Sequence, residues 1–139
     1  MARPGSLTNP HYAYLFPAPL LELVKAKTCE LGIRSPRFFL QAAILYELSC
    51  RWLDQDTEPL PAEYAAPGNP LVLFPQRLRA PILAAGRRRA ARLGLSFAEY
   101  VRRVAYHTAM AGLLDGEEIV NGVVLIGGDR WQARQGRPI

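Results

Sequence analysis

The apolar positions of this chain fall into two copies of one pattern. Tyr14-Leu15-Phe16-Pro17 recurs as Val72-Leu73-Phe74-Pro75, and each copy leads into a helical pattern, a Leu-Gly-apolar stop, a serine and a second helical pattern. A repeat of this kind shapes the architecture before any single element does. In the first copy, His11 to Phe16 reads as a short strand of β-prone aromatics, closed by a proline with no amide to give a ladder. Leu20, Leu23, Val24, Thr28 and Leu31 follow at helical spacing, with Gly32 placed to end that helix. Ser35 is then positioned to accept from the open amides of a second helix, and Pro36 suits its first position. Phe39, Leu40, Ala43, Ile44, Leu48 and Trp52 give that helix its apolar face.

The second copy starts with a strand over Leu71 to Phe74. Leu78, Ile82, Ala85 and Leu93 mark a weaker helix before Gly94, because Pro81 requires a start near Arg79 or a kink, and Gly86 weakens the interior. Ser96 and Glu99 form a capping box, Leu95 and Tyr100 a hydrophobic staple, and Val101, Val104, Ala105 and Thr108 continue the last helix. Pro17 to Ser35 is eighteen residues and Pro75 to Ser96 twenty-one, so the second copy is three residues longer, inside or beside its first helix. Between the copies the stretch 54–69 is proline-rich and lacks periodicity, which reads as a linker. Ile119-Val120-Asn121-Gly122-Val123-Val124 carries a hairpin signal. The chain therefore divides into an arm (1–10), a first unit (11–53), the linker (54–69), a second unit (70–115) and a hairpin with a basic tail (116–139). The stretch 11–115 is expected to form one compact domain.

Half of the 139 residues are hydrophobic, enough for one core and not for two. Charged residues make up 21%, and Gly and Pro number 11 and 12, a mixture too apolar for a disordered tail and too irregular for collagen or a coiled coil. The net charge is +5, and fifteen of the seventeen basic residues are arginine, whose planar fork of donors suits phosphate. Residues 1–58 carry six bases and six acids, residues 59–139 eleven bases and six acids. From Arg77 to Arg103 eight arginines stand against Glu99 alone. Such a segment points to nucleic acid or a membrane surface, or else to a solvated arginine-rich face. No apolar run nears the ~20 residues of a membrane span and the N-terminus lacks the order of a secretory signal, so a cytoplasmic protein without a membrane partner is expected. Cys29 and Cys50 lie in helical patterns without metal-ligand spacing and read as buried thiols rather than a disulfide.

Strand, proline, helix, Leu-Gly-Leu-Ser and helix, in the form LVLFPQRL...ARLGLSFAEYVRRVA within residues 70–111, resembles the ribbon-helix-helix family of the Arc and MetJ repressors. Residues 12–52 are similar, as YAYLFPAPLLELV...LGIRSPRFFLQAAI, and together the two stretches cover about eighty of the 139 residues. A unit of forty-odd residues is too small to close a core alone, and the family solves this by pairing two chains through an antiparallel two-stranded ribbon. The resemblance implies that the two copies here pair with each other. The expected fold is mainly α: two tandem ribbon-helix-helix units forming an intramolecular pseudo-dimer, plus a small C-terminal β-hairpin. Tandem members of this kind occur among conjugation and DNA-transfer accessory proteins.

The resemblance also implies a ribbon in the DNA major groove, its outward side chains reading base edges. With Tyr12, Tyr14 and Phe16 inward, period-two alternation turns His11, Ala13 and Leu15 outward, and Asn69, Leu71 and Leu73 outward in the second copy. Alanine and leucine offer bases only apolar contact, so sequence reading is expected to be weak, with His11 and Asn69 able to touch base edges near the strand starts. Alternatively the C-terminal hairpin or another protomer covers those leucines. In the family the start of the second helix sets its amides against the DNA backbone. Here those starts are Ser35, flanked by Arg34 and Arg37, and Ser96. Arg77 and Arg79 follow the second strand within reach of phosphates, and Arg102 and Arg103, one turn into the last helix, suit either phosphate contact or solvation. Arg87, Arg88, Arg89 and Arg92 read as a solvated face.

Catalytic readings find little support. His11 and His107 have no nearby carboxylate in sequence, and neither cysteine has a histidine partner in any motif. Asp54, Asp56 and Glu58 read as a solvated acidic stretch, and Gly127-Gly128-Asp129 opens no helix that would cradle phosphate. The expected function is non-catalytic binding of double-stranded DNA, mainly through phosphates and without cofactor or metal. It would be that of a transcriptional repressor or an accessory factor of plasmid or mobile-element transfer. The alternative is a protein-interaction module that uses the apolar ribbon face for docking or self-association.

Overall fold

The computed structural model describes residues 11–55, 58–111, 119–120 and 123–124, with side-chain surroundings over 14–55 and 58–111. Strand β1 (His11–Pro17) leads directly into helix α1 (Ala18–Glu30) and, after a tight turn, helix α2 (Pro36–Cys50). Strand β2 (Leu71–Arg77), helix α3 (Ala80–Arg92) and helix α4 (Phe97–Ala111) repeat that order, and the short strands β3 (Ile119–Val120) and β4 (Val123–Val124) follow. The protein is mainly helical, with β1 and β2 paired as a two-stranded antiparallel sheet. The four helices come in matched lengths, 13 residues for α1 and α3 and 15 for α2 and α4. The three-residue excess of the second copy therefore lies beside its first helix. Four residues are inserted at 76–79, between the strand-proline and α3, and one is missing from the turn before Ser96.

Helix boundaries follow from local chemistry. Both first helices end on a left-handed glycine, Gly32 at φ 71° and Gly94 at φ 74°, where a side chain would be strained. The closing bonds match: Ile33 N to Thr28 O at 3.0 Å and Leu95 N to Ala90 O at 2.9 Å. The next helices start on serine caps. Ser35 Oγ accepts from Phe38 N at 3.4 Å and Ser96 Oγ from Glu99 N at 3.1 Å. Only half of the expected capping box forms, because the Glu99 carboxylate turns to Arg102 and Arg103 at 3.3 and 3.1 Å. Pro81 sits in the first turn of α3 behind Arg79 as N-cap, where its missing amide costs no helical bond.

Both strands run further than the apolar pattern suggests: β1 includes Pro17, and β2 continues through Pro75 to Arg77. The register explains how a strand tolerates these prolines. Ala18 N donates to Pro70 O at 2.8 Å, and Tyr14 pairs with Phe74, so the even positions of β1 are the hydrogen-bonded ones. Pro17, opposite Leu71, and Pro75, opposite Ala13, occupy sites whose amides point away from the partner strand. Neither removes a ladder bond. The register is centred on Leu15 opposite Leu73, the two residues that correspond in the repeat, so each strand presents the same positions to the other.

Beneath the sheet the two halves share one core. Tyr14, Phe16 and Phe74 point inward, meeting Leu20 and Val24 of α1, Phe39, Leu40 and Ile44 of α2, Leu78, and Tyr100, Val101 and Val104 of α4. The first helix of each half packs on the second helix of the other, α1 on α4 and α3 on α2, while α2 and α4 also meet. The stretch expected to be only a linker contributes as well. It carries a 3-10 turn at Ala62–Tyr64 and buries Leu60, and the 3-10 turn Trp52–Gln55 that leads into it buries Leu53, so it is strapped to the core by apolar contact. Trp52 accordingly lies in the first of these turns rather than on α2. Cys29, expected to be buried, is exposed, because it lies on the outer face of α1; Cys50 is half-buried, and the two do not form a disulfide.

Strands β3 and β4 pair antiparallel and lie against α2 rather than over the main sheet. The arm 1–10, Asn121 and Gly122 of the expected hairpin, Asp56, Gly127-Gly128-Asp129 and the basic tail lie outside the described residues, as do the side-chain surroundings of His11, Tyr12 and Ala13.

Candidate nucleic-acid interface

The outer face of the sheet is apolar, as alternation predicts. Leu15 is 45% exposed, Leu71 43% and Leu73 64%. Leu15 and Leu73 face each other at a non-hydrogen-bonded position, where opposed side chains approach most closely. The expected outward position of Asn69 is corrected. It precedes β2, and its amide nitrogen donates to Ala62 O at 3.0 Å and Ala65 O at 2.7 Å. An asparagine that closes a turn in this way has committed its donors and is not presented to a base.

Arginines fasten both edges of the sheet. On the β2 edge Arg37 Nε donates to Pro75 O at 2.9 Å, and Gln76 Nε2 returns a bond to Arg37 O at 3.3 Å. On the β1 edge Arg102 Nε donates to Leu15 O at 3.0 Å, and its Nη1 meets Glu99 at 3.3 Å. These are the carbonyls that the register turns outward, so each guanidinium satisfies an edge group that would otherwise invite another strand. Arg37 is exposed and retains its Nη donors, whereas Arg102 is largely spent on the strand and on Glu99. Arg34 is exposed and lies over the Phe38 ring at 4.9 Å. Arg77, at the end of β2, and Arg79, at the cap of α3, are also exposed, and among the described residues neither forms an ion pair. Ser35 and Ser96 use their oxygens on their own helices. Arg37, Arg77 and Arg79 thus stand on the β2 side, with Arg34 in the turn before α2, while Arg102 at the β1 edge is spent on the strand and on Glu99.

One of the arginines expected in solvent is not there. Arg89 is 5% exposed and grips Glu47, itself fully buried, through Nε at 3.0 and 3.2 Å and Nη2 at 2.7 Å. Tyr100 Oη donates to the same carboxylate at 2.7 Å, Leu53 N at 3.1 Å, and Arg89 Nη1 reaches Asp54 at 2.9 Å. Asp54 of the expected acidic stretch is thereby an ion-pair partner. Hydrogen bonding to Glu47 holds the Arg89 guanidinium above its ordinary range against the opposing effect of burial. Burial, with the adjacent carboxylate, pushes the Tyr100 phenol up. Sequence reasoning missed Glu47; the available signal was a charge on the apolar face set by Leu40, Ala43 and Ile44, while its partners come from forty-two and fifty-three residues away.

Among the described residues no group of three His, Cys, Asp or Glu side chains is placed to hold a metal ion, and no helix is long and apolar enough to cross a membrane. Comparison with family models, with curated proteins and with solved structures returned no match.

Proposed function

We propose that this chain is a tandem ribbon-helix-helix protein, a pseudo-dimer in one polypeptide, that binds double-stranded DNA without catalysis. The observation that carries the reading is the β1–β2 register centred on Leu15 and Leu73, with Arg37 and Arg102 on its two edges and Arg34, Arg77 and Arg79 exposed beside it. A ribbon of this width suits a major groove, and guanidinium forks suit phosphates. Its outer leucines offer bases no paired hydrogen bonds, so binding rests on the backbone and tolerates many sequences. A role as repressor or as accessory factor in plasmid or mobile-element transfer fits such binding and is carried by the family resemblance alone.

The test is a gel-shift titration of the full chain on random duplex at low and raised salt. Affinity should fall steeply with salt, and the Arg34→Ala/Arg77→Ala variant should lower both affinity and the salt slope, by about one unit for each phosphate no longer neutralised. Absence of binding at low salt refutes the proposal. The exposed Leu15, Leu71 and Leu73 support a second reading, in which this face docks a protein or a second copy. That reading expects duplex binding to be absent and a Leu73→Asp variant to lower the mass seen by light scattering. An unchanged mass rules out self-association through this face.

A further inference from the structure

At the far end of α3 from the sheet lies a cleft of about 620 Å³ between the C-terminal ends of α2 and α3. Its walls carry Arg51, Arg88, Arg89 and Arg92, with Leu48 and Ala85 between them. At 1.5 Å per residue, Arg88 and Arg92 stand roughly 12–18 Å along α3 from its start beside the sheet, so the cleft is separate from the proposed DNA face. We infer that this cleft binds an oligophosphate anion, a diphosphate or triphosphate group either free or carried by a nucleotide.

Charge, donor geometry and shape all favour that ligand. Arg89 is neutralised by Glu47 and Asp54, but Arg51, Arg88 and Arg92 are exposed and pair with no carboxylate among the described residues. The two carboxylates offset two of the four guanidinium charges, and the dipole ends of α2 and α3 offset about half a charge each, leaving roughly one positive charge in the empty cleft. Arg88 and Arg92 are one turn apart on the same face of α3, and Arg51 caps α2, so three arginines line the cleft from two walls. Arg51 adopts the left-handed conformation, at φ 55° and ψ 39°, which glycine takes freely and a side chain does not. The chain thus holds an arginine over the cleft at a position where backbone geometry favours glycine. The volume falls within the ~300–1,000 Å³ range of small-ligand pockets. Among the described residues no aromatic ring lines the cleft to stack a base, which places recognition on the phosphates rather than on a nucleoside.

The experiment is isothermal titration of the full chain with pyrophosphate, tripolyphosphate and ADP at fixed ionic strength. The Arg88→Gln/Arg92→Gln variant is titrated alongside, with Lys25→Gln/Lys27→Gln on α1, outside the lining of the cleft, as a control of equal charge loss. Arg88, Arg92 and Lys25 are exposed and Lys27 half-exposed, all on helices, and circular dichroism checks that each variant folds. The expected result is saturable one-to-one binding, weakened at least tenfold by the α3 variant and less than twofold by the control. Equal affinity for pyrophosphate and ADP identifies the phosphate group alone as the ligand, and a tenfold preference for ADP identifies a nucleotide as its source. Heats without saturation for all three probes, or equal losses in the two variants, overturn the inference.

Discussion

Replacing Arg89 by methionine tests the energetics of the core most directly. The substitution keeps much of the side-chain volume and removes the guanidinium, leaving the fully buried Glu47 carboxylate with only the Tyr100 hydroxyl and the Leu53 amide. Breaking a buried ion pair from one side costs about 3–5 kcal/mol, because the remaining charge is desolvated and uncompensated. Against the ~5–15 kcal/mol of a typical domain this is a large share. With an unfolding entropy near 2.1 cal/mol/K per residue, the melting temperature should fall by roughly 10–17 °C. Urea unfolding followed by circular dichroism gives the free energy directly. A second variant, Glu47→Leu/Arg89→Met/Tyr100→Phe, removes the charges together and should be more stable than Arg89→Met alone, short of full recovery because the Leu53 amide loses its acceptor, at about 1–3 kcal/mol. A loss below about 1 kcal/mol for Arg89→Met, or a triple variant no better than the single, would refute the assignment of Glu47 as a charged, enclosed group.

Three further outcomes are expected. Tyr100→Phe should cost about 1.5–3 kcal/mol at neutral pH. Because the folded state raises this phenol's ionisation above its ordinary value of 10.0, the contribution is full below that pH and shrinks as pH rises past it. Urea midpoints for wild type and variant should therefore converge above about pH 10, and a constant gap would contradict the shift. Gly86→Ala should destabilise despite the better helix propensity of alanine, since a Cβ there would stand 2.7 Å from Phe97 Cε1. A rise in melting temperature would show that Phe97 yields freely. Gly32→Ala and Gly94→Ala meet open space, so each should lose only the conformational cost of a left-handed residue, about 1–2 kcal/mol. Thermal melts showing very different losses at the two sites would argue against equivalent caps.

The elements were legible where one short-range signal governs them. Ser35, Ser96, Gly32 and Gly94 set helix limits through bonds spanning a few residues, and Tyr14, Phe16 and Phe74 are inward as alternation requires. Gly86 lowered expectation for α3, yet it is the place where Phe97 of α4 packs closest, a reason that exists only once two helices meet. The strand ends were misjudged because proline ends a strand only where its amide would face the partner, and that depends on a register invisible in one strand. Arg89 looked like one more member of an exposed arginine run, since local sequence gives no sign of a carboxylate on another helix. At the candidate site the outward leucines were read correctly, while Asn69 was drawn into a turn whose acceptors lie in the stretch treated as featureless.

The buried Glu47–Arg89 contact is one-sided, and that asymmetry has a consequence for assembly. By the matching helix caps, the first-half counterparts of Arg89 and Tyr100 are Lys27 and Phe39, and the second-half counterpart of Glu47 is Thr108. Two first halves brought together from separate molecules would enclose Glu47 without its guanidinium clamp or its phenol. Pairing of like halves from neighbouring chains is therefore penalised at the centre of the fold, and a first half is directed to a second half as its partner.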